Sequence, residues 1–498
     1  MARRACSLPE DVLLRIRNGY DPRRSGQIML VQHPEDVVAS RFAHSGPWDH
    51  FARVPLFLYG PGHVPELGSV GSRATVADLA PTLARHLDFR MRTGDGRALG
   101  RAVEPDGPPP RVVVVVVWDG GGRNVLDAHP GAWPTLRGLI PSGVWFERAE
   151  IGSSPSITGP VHASIGTGTL PRTHGRVAHE MRLGADLAYS GDVAPRDLRV
   201  PALADLWDRA RDNRPVVGIV AFLEWHLGML GHGSAFPGGD RDLAVLLDED
   251  TQTWDLSRHD RRHFAFPEWA ASIPGRKRHL RELDLEDGQL DGRWLGESLA
   301  LPGLAERTPA YARWQTEVLT RMIEEEGFGA DEVPDLLFTN YKVIDGTGHR
   351  WSNDSPQMDA AVRASDDALS DIVDLLDREV GRGRWILALT ADHGVSPVPT
   401  DDFIVDTGEL ADDVEARFDP EDAGRLAQVT APSQMWLDPI LLEDLGVTTE
   451  EVAAYVARYR KGQNVADPSA ISTDGQDRLF AAAFPGSLLD DLPCLSAR

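Results

Sequence analysis

Lysine is almost missing from this 498-residue chain: Lys277, Lys342 and Lys461 are the only three, and arginine carries the rest of the positive charge. Acidic residues outnumber basic ones 76 to 51, giving a formal net charge of -25. Phosphate backbones and anionic membranes are held by clustered Lys and Arg, so this balance argues against a nucleic acid polymer or a membrane as partner. It leaves room for a small anion drawn to a local positive site. Cysteine is equally scarce. Cys6 and Cys494 alone cannot build a disulfide framework or a thiolate zinc site, and at opposite ends of the chain they read as free thiols. No apolar run approaches the roughly 18 residues of a membrane span. The opening MARRACSLPED has two arginines but no apolar core behind them, unlike a secretory leader. A soluble, cytoplasmic protein of unspecified oligomeric state is the expectation. No internal repeat recurs at a fixed period.

What the chain does have is enough apolar content, 42%, for a sizeable core. Its length fits about three domains at roughly 150 residues each, or one large core with an insertion. Short apolar runs ending in polar or glycine-rich turns mark strands buried on both faces: Ile28–Val31, Val54–Tyr59, Val112–Trp118, Val216–Ala221, Leu336–Tyr341 and Trp385–Thr390. Amphipathic stretches lie between them, most clearly Ala360–Val380. Alternation of this kind gives an α/β fold, a mostly parallel central sheet with helices on both faces. AVEPDGPPP, at 102–110, reads as a stiff linker. Residues 240–330 are rich in charge and tryptophan and read as a helical insertion beside the site. The division is then 1–100, a linker at 101–110, core segments at 111–239 and 331–400 around that insertion, and a smaller region at 401–498.

In such sheets ligands bind beyond the carboxyl ends of the strands. Asp119 closes one apolar run, and Asp392 and His393 follow another. DGTGH at 345–349 puts a carboxylate and an imidazole on one short loop, and AHSGPWDH at 43–50 adds further histidines. Carboxylate oxygen and imidazole nitrogen are the ligands of a catalytic zinc site, which keeps a position open for substrate. Each segment alone reads equally well as a polar loop; the combination at strand ends is what suggests metal. Thr158 precedes a segment that can open a helix, where backbone N–H groups favour phosphate. A hydroxyl there suits a metal-activated nucleophile, although Thr is also a common helix cap.

PSITGPVHASIGTGTLPRTHG, at 155–175, resembles the nucleophile segment of the type I phosphodiesterase/nucleotide pyrophosphatase family in the alkaline phosphatase superfamily. The resemblance implies a two-metal phosphoester hydrolase, with zinc as the expected ion. Thr158 is then the nucleophile, and a phosphothreonine intermediate follows. Thr158, Asp119, Asp392 and His393 would hold one ion, Asp345 and His349 the other. The family places its sixth ligand near its C-terminus, but here His393 is the last histidine. The stretch from Arg17 to Gly62 looks like the family's C-terminal segment, which makes His44 the expected sixth ligand and the segment order circularly permuted.

The ester class rests on a departure. Threonine-type phosphatases carry a Lys and an Arg where this chain reads VVGIVAFLEWHLGMLGHGSAFPGGD, at 216–240, with neither. A dianionic monoester loses more by that absence than a monoanionic diester. Diester or pyrophosphate cleavage is the expectation; a monoesterase and an inactive ligand-binding relative are the alternatives. His226 and His232 in that stretch are candidate substrate contacts, as is His179, which stands where relatives have an asparagine. CLSAR at 494–498 faintly resembles a sulfatase signature, but Ser496 breaks it.

Overall fold

The computed structural model describes residues 1–38, 44–104, 107–189, 197–396, 404–465 and 475–495. Two sheets organise it. Their strands are β1 (Ile28–Val31), β2 (Leu56–Tyr59), β3 (Gly68–Thr75), β4 (Val112–Trp118), β5 (Val144–Glu150), β6 (Val217–Ala221), β7 (Leu243–Asp248), β8 (Thr253–Asp255), β9 (Asp335–Tyr341), β10 (Trp385–Thr390), β11 (Ala427–Ala431), β12 (Gln434–Leu437) and β13 (Ala482–Pro485). The α-helices of eight residues or more are α1 (Glu10–Gly19), α2 (Leu79–His86), α3 (Thr158–Thr167), α4 (Leu203–Ala210), α5 (Lys277–Asp284), α6 (Pro309–Glu326), α7 (Val343–Trp351), α8 (Pro356–Leu376), α9 (Thr407–Phe418) and α10 (Thr449–Val456).

The large sheet runs β8-β7-β6-β9-β4-β10-β2-β5-β3. Its centre, from β7 to β10, is parallel. β2 is antiparallel to both of its neighbours, and β8 closes the other edge as an antiparallel hairpin with β7. β4 shows why the run of valines forms a central strand. Side chains of a strand alternate between faces. Val112, Val114, Val116 and Trp118 enter one hydrophobic core with residues of α6 and α8. Val113, Val115 and Val117 enter a second core with residues of α2, α3 and α4. A strand that is apolar on both faces fits only between two helical layers.

The smaller sheet, β11-β12-β1-β13, is antiparallel. Here Ile28–Val31 departs from the sequence reading, because β1 pairs with strands from the other end of the chain and not with the large sheet. α9 and α10 cover one face of this sheet, and α1 packs with β13 on the other. The chain ends therefore meet, and Cys6 and Cys494 form a disulfide across a sequence separation of 488 residues. The expectation of free thiols is corrected: sequence distance said nothing about two ends joined through one sheet.

Residues 240–330 also differ from a purely helical insertion. β7 and β8 extend the large sheet, and α6 belongs to its helical layer. The excursion beyond the core is confined to short turns, α5 and a small hairpin, Arg293–Trp294 with Glu297–Ser298. Among the described residues no helix is long and apolar enough to cross a membrane.

Candidate active site

The carboxyl ends of β6, β9, β4 and β10 are neighbours, and the candidate residues follow these four strands. Asp119 comes directly after β4, and Asp392 and His393 two and three residues after β10. Asp345 and His349 lie on α7, which begins two residues after β9. The expected loop is thus a helix, and a spacing of four puts both side chains on one helical face. Gly120, at φ +73°, makes the turn that brings these loops together; a Cβ there would stand 2.8 Å from the Asp345 Cα. His44 precedes β2. Because β2 runs against β10, with Leu56 opposite Thr390, its N-terminal approach arrives at the same end of the sheet.

Two ligand clusters result. In the first, His393 Nε2 lies 3.3 Å from Asp392 Oδ2 and 3.5 Å from Asp119 Oδ1. In the second, Asp345 Oδ1 lies 3.1 Å from His44 Nε2 and 3.3 Å from His349 Nε2. The His44 ring stacks on His393 with centroids 3.5 Å apart, so the clusters adjoin. His393 Nε2 and Asp392 Oδ2 are buried without a hydrogen-bond partner, and the buried Asp345 carboxylate meets only the ion-pair contacts of His44, His349 and Lys342. Orphaned polar atoms converging in the interior beside these groups suit a cation site. The donor set, imidazole and carboxylate, fits zinc.

Two of the three imidazoles, His44 and His393, have the orientation a metal ligand needs. His44 Nδ1–H donates to the Ser156 carbonyl at 2.7 Å and His393 Nδ1–H to the Gly394 carbonyl at 3.0 Å, which leaves both Nε2 lone pairs facing the centre. Burial pushes His44 down to about 4, with the neighbouring His393 adding to the effect, so its ring is neutral at neutral pH. Burial lowers His393 as well. Asp392 Oδ1 accepts from the Gly120 N–H at 3.0 Å, which frees Oδ2 for the centre.

Thr158 opens α3 and is 3% exposed. The first turn of that helix is tied to the first cluster. His162 donates from Nδ1 to the Thr158 carbonyl at 2.8 Å and accepts at Nε2 from Asn340 Nδ2 at 2.9 Å. Asn340 also donates to Asp119 Oδ2 at 3.0 Å. His226 completes the support: its Nε2 lies 3.3 Å from Asp119 Oδ2, and its Nδ1 is held by the Leu223 backbone, 3.0 Å from the N–H and 2.7 Å from the carbonyl. His226, expected to touch substrate, is therefore a buried brace for Asp119. The same expectation for His232 is corrected too. Its nitrogens bond Asp205 at 2.8 Å and the Leu198 carbonyl at 3.1 Å, away from both clusters. His179 packs near Trp225, with centroids 5.5 Å apart. Burial first, then the charges of Arg176, His44 and Lys342, push it down to about 3.

Lys342 escaped the sequence reading. Its Nζ lies 3.1 Å from Asp119 Oδ1 and 2.7 Å from Asp345 Oδ2, between the two clusters. Burial opposes its charge, but Asp119, Asp345 and Asp392 outweigh burial and hold the ammonium above the usual lysine range. The signal was present: one of only three lysines stands three residues before Asp345. A second cation lies beside the nucleophile turn, since a Cβ on Gly159 would meet the Arg176 Nε at 3.1 Å. The mouth of the site is at His349, the most open of these side chains at 37% exposed.

The family model described as type I phosphodiesterase / nucleotide pyrophosphatase matches residues 113–480. Alkaline phosphatase PafA of Elizabethkingia meningoseptica is 24% identical over 442 residues, spanning 76% of this chain and 77% of that protein. Alkaline phosphatase PhoD of Zymomonas mobilis is 33% identical over 313 residues, 58% of this chain and 54% of that protein. The crystal structure of PafA superimposes with a TM-score of 0.58 at 19% identity, covering 70% of this chain and 76% of that one, which shows the shared fold. The chain belongs to the type I phosphodiesterase/nucleotide pyrophosphatase family of the alkaline phosphatase superfamily and is a phosphoester hydrolase.

Proposed function

We propose that this chain cleaves phosphodiester or pyrophosphate bonds in small substrates, with Thr158 as nucleophile beside two zinc ions. The observation that carries the reading is the pair of adjoining clusters with orphaned, inward-facing atoms beside the head of α3. Asp119, Asp392 and His393, with Thr158, would hold one ion; His44, Asp345 and His349 the other. When bound, such ions supply positive charge that lowers the pKa of the hydroxyl and neutralises the transferring group. The chain's own part is orientation. His162, Asn340 and His226 fix Asp119 and the first turn of α3. The Thr158 oxygen attacks phosphorus, its proton is lost, and the P–O bond to the leaving group breaks; a phosphothreonine, still carrying the second ester group when the substrate is a diester, remains for water to hydrolyse.

The diester preference is supported by the lack of Lys and Arg at 216–240. Lys342 favours a second reading, a phosphomonoesterase. Three carboxylates against two doubly charged ions leave one positive charge, and the ammonium 2.7 Å from Asp345 makes it two, a match for a dianion. Side-by-side hydrolysis of bis(p-nitrophenyl) phosphate and p-nitrophenyl phosphate with added zinc separates the readings. Faster diester cleavage supports the first. Faster monoester cleavage, lost selectively in Lys342→Met, supports the second. No cleavage of either by zinc-loaded protein refutes both and favours an inactive relative.

A circularly permuted order is part of the same reading. It is supported by His44 lying beside Asp345 and by chain ends whose bonded cysteines have Cα atoms 5.7 Å apart. A chain rebuilt to begin at Arg111, with the present ends joined by a short linker, should fold and bind metal; insoluble or metal-free product contradicts the proposal. The Cys6–Cys494 bond supports an oxidising compartment in place of the cytoplasm expected from sequence.

A further inference from the structure

At the opposite end of the large sheet, where the chain enters β7, three carboxylates gather that take no part in the proposed chemistry. Asp208 comes from the last turn of α4, and Asp240 and Asp242 from the segment leading into β7. One oxygen of each lies within 4.8 Å of the others. Asp208 is only 2% exposed and Asp242 6%, and Asp208 Oδ1 is buried with no hydrogen-bond partner. The nearby cations are occupied elsewhere. Arg209 lies over the Phe236 ring at 4.8 Å, and Arg241 donates to the Phe264 carbonyl at 3.0 and 3.1 Å. The adjacent Asp205 is committed to His232 and to the Ala202 and His232 amides. The carboxylates sit at a helix C-terminus, where backbone carbonyls add partial negative charge. Buried like charges with no counter-ion are costly unless they share a proton or hold a cation.

We propose that Asp208, Asp240 and Asp242 form a structural calcium site that ties α4 to β7. The ligand set is oxygen only, which suits a hard cation and disfavours zinc. Calcium accepts irregular, partly hydrated oxygen shells more readily than magnesium, which demands a near-ideal octahedron. The exposed Asp240 leaves one side open for water to complete the shell.

The test uses the full chain, stripped with chelator and reloaded with zinc at pH 7.5. Millimolar calcium chloride should raise Tm by roughly 2–5 °C, with magnesium giving less. Equilibrium dialysis should find one calcium per chain beyond zinc. Asp242→Asn and the surface variant Asp240→Asn should weaken or abolish the response while zinc-dependent ester hydrolysis is unchanged. Three results overturn the proposal: no calcium response in the parent chain, an equal response in both variants, or an Asp242→Asn variant more stable than a calcium-indifferent parent. The last would mean that the two buried carboxyls share a proton.

Discussion

Thr158 and the residues that orient it make the sharpest claims at the scale of single side chains. Thr158→Ala should lower kcat/KM by about 10³-fold or more while leaving metal content intact, as read by elemental analysis beside the kinetics. His226→Ala should cost roughly 10–100-fold in activity or zinc affinity, because the imidazole braces Asp119 at 3.3 Å without itself needing to reach an ion. A chelator titration distinguishes that from a substrate contact, which would change KM and leave zinc affinity untouched. Asp119, Asp345, His349, Asp392 and His393, which the structure brings together, were legible as candidates from their setting at strand ends, and His44 from the family resemblance alone. His226 could not be assigned from sequence, nor Asn340 found, since their common partner Asp119 lies 107 and 221 residues away. Lys342 was overlooked although its rarity and its place three residues before Asp345 marked it, because its pairing with Asp119 spans 223 residues.

At the scale of elements, the valine run of β4 and the apolar runs of β9 and β10 were legible because a strand buried on both faces writes itself as continuous apolar sequence. β7 was not, since its apolar residues sit amid charge and glycine that suggested an insertion. β1 was legible as a strand but not as to its sheet, because pairing across the whole chain leaves no local trace. Elements are also joined by buried polar contacts that no periodicity reveals. Asp366, on α8, is fully buried and accepts from the Thr135 and Leu136 amides at 2.7 and 2.9 Å, capping the short helix Pro134–Leu139. Asp366→Ala should leave these amides without partners and destabilise the chain by about 2–4 kcal/mol in urea denaturation. A change below 0.5 kcal/mol would mean that water replaces the cap.

The whole molecule is held at both ends and is acid-sensitive by construction. Breaking the Cys6–Cys494 bond with a double Ser variant should cost roughly 2–5 kcal/mol, visible as a lowered denaturant midpoint that reductant no longer shifts. Burial pushes His50 and His86 down to about 4 and His174 to about 3. The unfolded chain takes up these protons near pH 6.5 and the folded chain resists them, so stability should fall as pH drops from about 6.5 towards 4. The histidine part is isolated by comparing the parent with His86→Gln: an unchanged pH dependence of the urea midpoint would contradict the buried, neutral state of that ring. The central claim is chemical, and it is tested most directly by trapping. Zinc-loaded protein is mixed with p-nitrophenyl phosphate or its diester, quenched in acid within milliseconds, digested and read by mass spectrometry. The account predicts an adduct on Thr158 in the peptide containing SITGPVHASIGTG, absent from the Thr158→Ala variant: a phosphoryl group from the monoester, and a p-nitrophenylphosphoryl group from the diester, since only one nitrophenolate leaves. Rapid hydrolysis with no trapped adduct on Thr158, or activity undiminished in that variant, would contradict it.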